Sequence, residues 1–290
     1  MKLHGKHFRA PHDQSVNLKN WPTRIEPVYA SKEDYRALLD EHVTALSDLQ
    51  LKLYASQRFA VLVIFQATDA AGKDSAIRHV MSGVNPQGCQ VHSFGAPSTE
   101  ERAHDFLWRA TRVLPARGMI GIFNRSYYEE VLVVRVHPAL LAAQGLPETL
   151  VGDPAIWDGR LASISDYERH LTASGTRIVK IFLHVSRSEQ RDRLIARIDD
   201  PTKTWKANPG DAEERKYWKT YRKTYEQAIS ATSTRDAPWF IVPADDQLTA
   251  RLCVSQILLE TLKDLNLTMP SLSPERLREL RQMRKALLTD

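Results

Sequence analysis

The chain has 290 residues, of which 42% are hydrophobic and 26% charged; this is the make-up of a globular protein with a core of useful size. Two cysteines, Cys89 and Cys253, exclude a disulfide scaffold and are read as reduced thiols of a cytosolic protein. Apolar runs no longer than Phe59–Phe65 exclude a helix spanning a bilayer, and MKLHGKHFRAPHDQ lacks the apolar segment of a secretory signal. A net charge of +5 suits an anionic partner without specifying one.

Residues 1–30 show neither helical nor strand periodicity and read as an extended arm on the surface. Ser31 followed by Lys-Glu-Asp is a helix start, and Leu38, Leu39, Val43, Leu46, Leu49 and Leu53 recur at helical spacing to about residue 55. Strands and helices then alternate. Ala60–Phe65 is a continuous apolar run, as in a strand buried on both faces; a turn and a helix from about Lys73 follow. A short strand is expected near Val91–Phe94, a helix over Thr99–Leu114, a third strand at Met119–Phe123 and helix over 126–136. Residues 138–156, with three Pro and two Gly, read as an insertion. Arg177–Val185 and Trp239–Pro243 complete the strands, and Pro274–Leu287 reads as a terminal helix. Strands separated by helices imply right-handed crossovers and a mostly parallel five-stranded sheet covered on both faces, an α/β domain in three layers. The division expected is an N-terminal arm and helix packed on the core (1–56), one catalytic domain (57–270) with a lid at about 187–223, and a C-terminal helix (271–290).

Three segments carry chemistry. Phe65-Gln-Ala-Thr-Asp-Ala-Ala-Gly-Lys-Asp74 lies between a buried strand and a helix start, where free N–H groups and the positive helix end cradle phosphate. Ala70, Ala71, Gly72, Lys73 and Asp74 are the candidate phosphate-binding residues, with Lys73 the point charge. The Walker A pattern is only partly met: Ala67 replaces its first Gly, and Asp74 its metal-binding hydroxyl. Asp69, inside the loop, would repel phosphate unless a cation intervened, so it is a candidate magnesium ligand; the plainer reading is a helix cap.

The second segment is Ile122-Phe-Asn-Arg-Ser-Tyr-Tyr-Glu-Glu130, at the carboxyl end of the third strand, where open α/β sheets bind ligands. Asn124 stands where a Walker B Asp is usual, Arg125 can bridge donor and acceptor phosphates, and Glu129 and Glu130 are candidates for nucleotide or metal. The alternative is a local ion-pair cluster. In the third segment, residues 187–223, eleven Lys and Arg stand against seven Asp and Glu, which concentrates most of the net charge there. Arg193 and Arg197 share a helix face, and Asp199–Gly210 is a polar loop carrying Lys203 and Lys206. This is a lid pattern, or else a solvated charged helix pair. The histidines show no metal-ligand spacing.

Together these segments resemble the second family of polyphosphate kinases. The words are Asp69-Ala-Ala-Gly-Lys73, Ser82-Gly-Val-Asn-Pro-Gln-Gly88, Phe123-Asn-Arg-Ser126, Val134-Arg-Val-His-Pro138, Asp200-Pro-Thr-Lys-Thr-Trp-Lys206 and Ala237–Asp245, spread over about residues 30–270. The resemblance implies a thymidylate-kinase-like P-loop fold, Mg²⁺ as cofactor and a dimer or tetramer. It gives Asp69 the activation of the acceptor and magnesium, Lys73 and Arg125 the donor phosphate, and Arg193, Arg197, Lys203 and Lys206 the polyphosphate path or the lid. The version Asn-Arg-Ser-Tyr-Tyr-Glu-Glu resembles the subgroup accepting AMP and often ADP, with guanine nucleotides left open. The expected reaction is in-line transfer of the terminal phosphoryl group of inorganic polyphosphate to AMP or ADP. The rivals are an ATP-dependent nucleoside monophosphate kinase and a nucleic-acid-binding module; against the latter stands the lack of any helix-turn-helix or zinc pattern.

Overall fold

The computed structural model describes residues 3–12 and 14–289. Five strands, β1 (Ala60–Gln66), β2 (Cys89–Ser93), β3 (Ile120–Asn124), β4 (Thr176–His184) and β5 (Trp239–Pro243), form one sheet in the order β2-β3-β1-β4-β5. All four pairings are parallel. The β1 run is apolar throughout because both faces are covered. Val61, Val63 and Phe65 enter one core with Cys253, Val254 and Ile257, while Leu62 and Ile64 enter the other with Leu161, Ile164 and Ile229.

The long helices supply the outer layers. α1 (Lys32–Ser56) packs on α6 (Gln247–Lys263), and α6 lies against α2 (Lys73–Val80) on one face. On the other face α3 (Ile156–Ala173) packs on α5 (Trp218–Thr232). α4 (Arg187–Asp199) leads from β4 toward the phosphate loop, and α7 (Pro274–Leu287) buries none of its residues. Ser31 caps α1 by accepting from the Asp34 N–H, as its sequence predicts.

Three expectations need correction. Residues 1–30 are not merely a surface arm: Phe8, Ala10, Val16 and Leu18 are buried, and the arm pairs with the free edge of β5 through an Arg9–Phe240 bridge and an Ala10 N–H to Trp239 O bond of 2.8 Å. An unpaired edge strand is a liability, and the arm covers it. The Thr99–Leu114 helix is two single turns, Thr99–Arg102 and Trp108–Thr111. Between them the Asp105 carboxylate accepts from the Leu107 N–H at 2.9 Å, a local bond that competes with helix continuation. Residues 126–136 form a 3₁₀ turn, Tyr127–Glu130, and a short helix, Val133–Val136. The 138–156 insertion contains two short helices, Pro138–Ala142 and Glu148–Val151.

Among the described residues no helix is long and apolar enough to cross a membrane. Both cysteines are free thiols; Cys253 is buried and Cys89 only half-buried.

Beneath the sheet lies a charged pair with no exposure. Lys180 of β4 and Glu168 of α3 are in contact, and Glu168 also accepts from the hydroxyls of Tyr127 and Tyr128, each at 2.9 Å. Desolvation pushes the Lys180 pKa down against the pull of Glu168.

Candidate active site

The parallel register aligns Phe65 with Asn124, so the loops after β1 and β3 leave the sheet side by side. The β1 loop turns through Ala70 at φ 59° and Gly72 at φ 100° before α2 begins at Lys73. Glycine adopts that geometry without strain. Ala70, and likewise Arg125 at φ 64°, holds a left-handed backbone at a cost of roughly 1–2 kcal/mol. The Arg125 N–H donates to Phe65 O at 3.0 Å, which ties the two loops together. Strained residues held in place by their surroundings at the mouth of a sheet point to a functional site.

Lys73 curls back to Ala67 O at 3.2 Å and is buried. Burial, then the neighbouring Arg125, pushes its pKa down, partly countered by Asp69 and Glu129. Arg125 pairs with Asp69 at 3.0 Å and Glu129 at 3.7 Å. Burial disfavours its charge, but these two carboxylates outweigh that and raise its pKa. Glu129 is raised because burial exceeds the pull of Arg125 and Lys73. Asn124 donates to the Asp74 carboxylate at 2.9 Å, so Asp74 offers phosphate only its backbone N–H; its side chain is engaged elsewhere.

Two clefts open from this junction. The larger, about 920 Å³, runs along the phosphate loop and carries Lys73, Arg78, Arg125, Arg197, Lys203 and Lys206. The smaller, about 340 Å³, lies on the other side of Asp69 and Arg125, with Thr68, Glu129, Trp218, Tyr221 and Tyr225 on its walls. Asp69, Arg125, Asn208 and Asp211 line both.

The structure separates the candidates into three groups. Asp69, Ala70, Ala71, Gly72, Lys73, Asp74, Asn124, Arg125, Arg197, Lys203 and Lys206 meet on the larger cleft, and Glu129 faces the smaller one. Arg193 lines the cleft but has all five donors engaged by protein: Nε to Glu189, Nη1 to Ala70 O and Ala71 O, and Nη2 to Ala244 O and Asp245 O. It braces the loop instead of reaching into the space. Glu130 is absent from both clefts. It is buried, with Arg109 at 3.4 Å, Arg160 at 3.6 Å and Gln144 at 2.6 Å, because successive residues of the 3₁₀ turn point in different directions.

Sequence reasoning missed Arg78, Gln190, Gln247 and the aromatic wall of the smaller cleft. Arg78 had a signal, as the cation one turn after Asp74 on the phosphate-loop helix. Gln190, buried and donating to Asp69 O at 3.0 Å, had none, because nothing local marks a glutamine as a brace.

A phosphate cradle at the mouth of β1, a cationic cleft on one side and an aromatic-walled one on the other define a P-loop phosphotransferase. Residues 29–270 match the family described as Polyphosphate kinase 2 (PPK2). The chain belongs to that family. It is 56% identical over 288 residues to a protein of Rhodopseudomonas palustris named ADP-polyphosphate phosphotransferase, covering 99% of this chain and 100% of that one. It is 46% identical over 266 residues to the AMP/ADP-polyphosphate phosphotransferase of Meiothermus ruber, covering 91% and 95%. Among solved structures, polyphosphate kinase 2 from Arthrobacter aurescens TC1 superposes with a TM-score of 0.86 at 39% identity, covering 98% of this chain and 99% of that one.

Proposed function

We propose that this chain transfers the terminal phosphoryl group of inorganic polyphosphate to a purine nucleotide, AMP or ADP, with polyphosphate in the cationic cleft and the nucleotide in the aromatic-walled one. The observation that carries the reading is that the two clefts share a wall that includes both Asp69 and Arg125. A donor and an acceptor placed from opposite sides meet there, and phosphoryl transfer requires little beyond such placement and charge compensation. Trp218, Tyr221 and Tyr225 offer aromatic surface to a base. The relatives' names agree with this donor and these acceptors.

Lys73 and the N–H groups opening α2 hold the donor phosphate, while Arg125 spans donor and acceptor and offsets charge on the transferring group. Asp69 orients Arg125 through their ion pair. Among the described residues no cluster of three or more His, Cys, Asp or Glu stands ready for a metal. Magnesium, however, is ordinarily held by one or two carboxylates together with substrate phosphates. Asp69 fits that role, with Asp211 beside it: the Asp211 pKa is raised by burial and then by the Asp69 charge. Mg²⁺ at these carboxylates would supply charge neutralisation between two polyanions. The proposal includes the homo-oligomeric state that the family resemblance implies and the cytosolic location that the two reduced thiols suggest, which light scattering and cell fractionation test.

The deciding assay incubates purified protein, magnesium and long-chain polyphosphate separately with AMP, ADP, GMP and GDP and separates the nucleotide products by charge. New diphosphate or triphosphate establishes the donor and ranks the acceptors. No product with any acceptor, and activity once ATP replaces polyphosphate, identifies an ATP-dependent nucleoside monophosphate kinase instead.

A further inference from the structure

The side chain after the P-loop lysine is ordinarily a hydroxyl; here it is the carboxylate of Asp74, placed among the cations of the donor cleft. A free carboxylate there would repel every phosphate of the donor. It is not free. Asn124 Nδ2 donates to its Oδ1 at 2.9 Å, and Lys206 Nζ reaches its Oδ2 at 3.2 Å. Lys206 belongs to the 3₁₀ turn Thr204–Lys206 that follows α4, so this contact joins the lid segment to the phosphate loop, 132 residues away in sequence. The turn has its own anchor in Arg197, which donates to Lys206 O at 3.5 Å and to Asp211 at 3.0 Å.

We propose that Asp74 is an in-chain stand-in for the donor's anionic oxygens: in the ligand-free protein it seats the lid turn over the phosphate loop by pairing with Lys206, and polyphosphate displaces it from that lysine. The inference rests on the assignment of polyphosphate to the cationic cleft. Two further observations fit it. Asn124 occupies the strand-end position where a Walker B Asp is usual; an aspartate there would bring two carboxylates to hydrogen-bond distance, whereas the amide donates to Asp74 and fixes its orientation. The pair is also exposed, at 42% for Lys206 and 66% for Asp74. Exposed ion pairs are weak, so one carboxylate can bias the lid in the empty enzyme and still yield to a chain of phosphates. Asp74 thereby acts as a positioning residue, through Lys206.

Four full-length proteins test this: wild type, Asp74→Asn, Lys206→Gln and the double variant. The first readout is hydrogen exchange over residues 200–211 without ligand. Exchange is expected to rise in each single variant and no further in the double variant. The second is affinity for long-chain polyphosphate. Asp74→Asn is expected to tighten binding by about three- to fivefold in the wild-type background, the scale of one exposed pair, and not at all in the Lys206→Gln background. Unchanged exchange in Asp74→Asn overturns the latch. Equal tightening in both backgrounds also overturns it, since removing any negative charge from the cleft would then explain the gain. If none of the four proteins binds polyphosphate, the substrate assignment falls and the displacement with it, while exchange still decides whether Asp74 seats the lid. Lys206→Gln lies on an exposed turn and supplies the comparison should Asp74→Asn misfold.

Discussion

Replacing Arg193 by Met separates a brace from a phosphate ligand. The side chain is only 11% exposed, and its guanidinium spends its five donors on Glu189 and on four carbonyl oxygens, at 2.6–3.4 Å. Hydrogen bonds involving a charged group contribute about 1.5–3 kcal/mol each, but they are not additive, and carbonyls facing the cleft regain water once the side chain is gone. A net loss of about 3 kcal/mol follows. At roughly 2 °C per kcal/mol for a chain of this size, Tm should fall by about 6 °C. Ala70 and Ala71, no longer held, let the phosphate loop drift, and misplacement of about 1 Å costs up to roughly 100-fold in rate. Thermal unfolding of the ligand-free variant and steady-state kinetics with polyphosphate varied are the assays. The expected pattern is lower Tm and lower kcat with a modest change in KM. Unchanged Tm with a KM for polyphosphate raised about tenfold or more would refute the reasoning, because the donors would then belong to the substrate.

Lys73→Ala should lower turnover by about 10³-fold or more while leaving the far-ultraviolet circular dichroism intact; near-wild-type turnover would remove Lys73 from the mechanism. Burial depresses the Lys73 pKa, so its proton leaves at lower pH than from an ordinary lysine, and the alkaline decline of kcat/KM should begin at lower pH than an unperturbed lysine would give. Lys73→Arg should move that limb to higher pH, and a limb that stays put would assign it to another group. Glu130→Ala strands Arg109 and Arg160 and should destabilise by about 3–5 kcal/mol in denaturant titration, with the nucleotide KM little changed in protein that remains folded. Lys180→Met should cost about 3–5 kcal/mol because it leaves Glu168 charged and buried, and adding Glu168→Leu should recover part of the loss; full additivity would mean the pair is not coupled.

Much of this protein is written locally. The apolar β1 run, the Ser31 cap, the strand at Trp239–Pro243 and the helix at Pro274–Leu287 follow from periodicity and capping that neighbouring residues decide. The position of the Gly-Lys turn between β1 and α2, with Lys73 opening the helix, was also legible, because a Gly-containing turn after a buried apolar run marks it locally. Tertiary structure decided whatever depends on a partner distant in sequence. The N-terminal arm looks featureless on its own, yet Phe8, Ala10, Val16 and Leu18 are buried; its value appears only beside β5. Arg193 and Arg197 share a helix face, and the family resemblance gives both the same expected role along the polyphosphate path or the lid. The fold gives Arg193 to the loop's carbonyls and Arg197 to Asp211. Glu129 and Glu130 are adjacent and chemically alike, but one lines the smaller cleft and the other is sealed between two arginines. A charged side chain is assigned by whichever opposite charge the fold brings within reach, and the sequence around it does not contain that information.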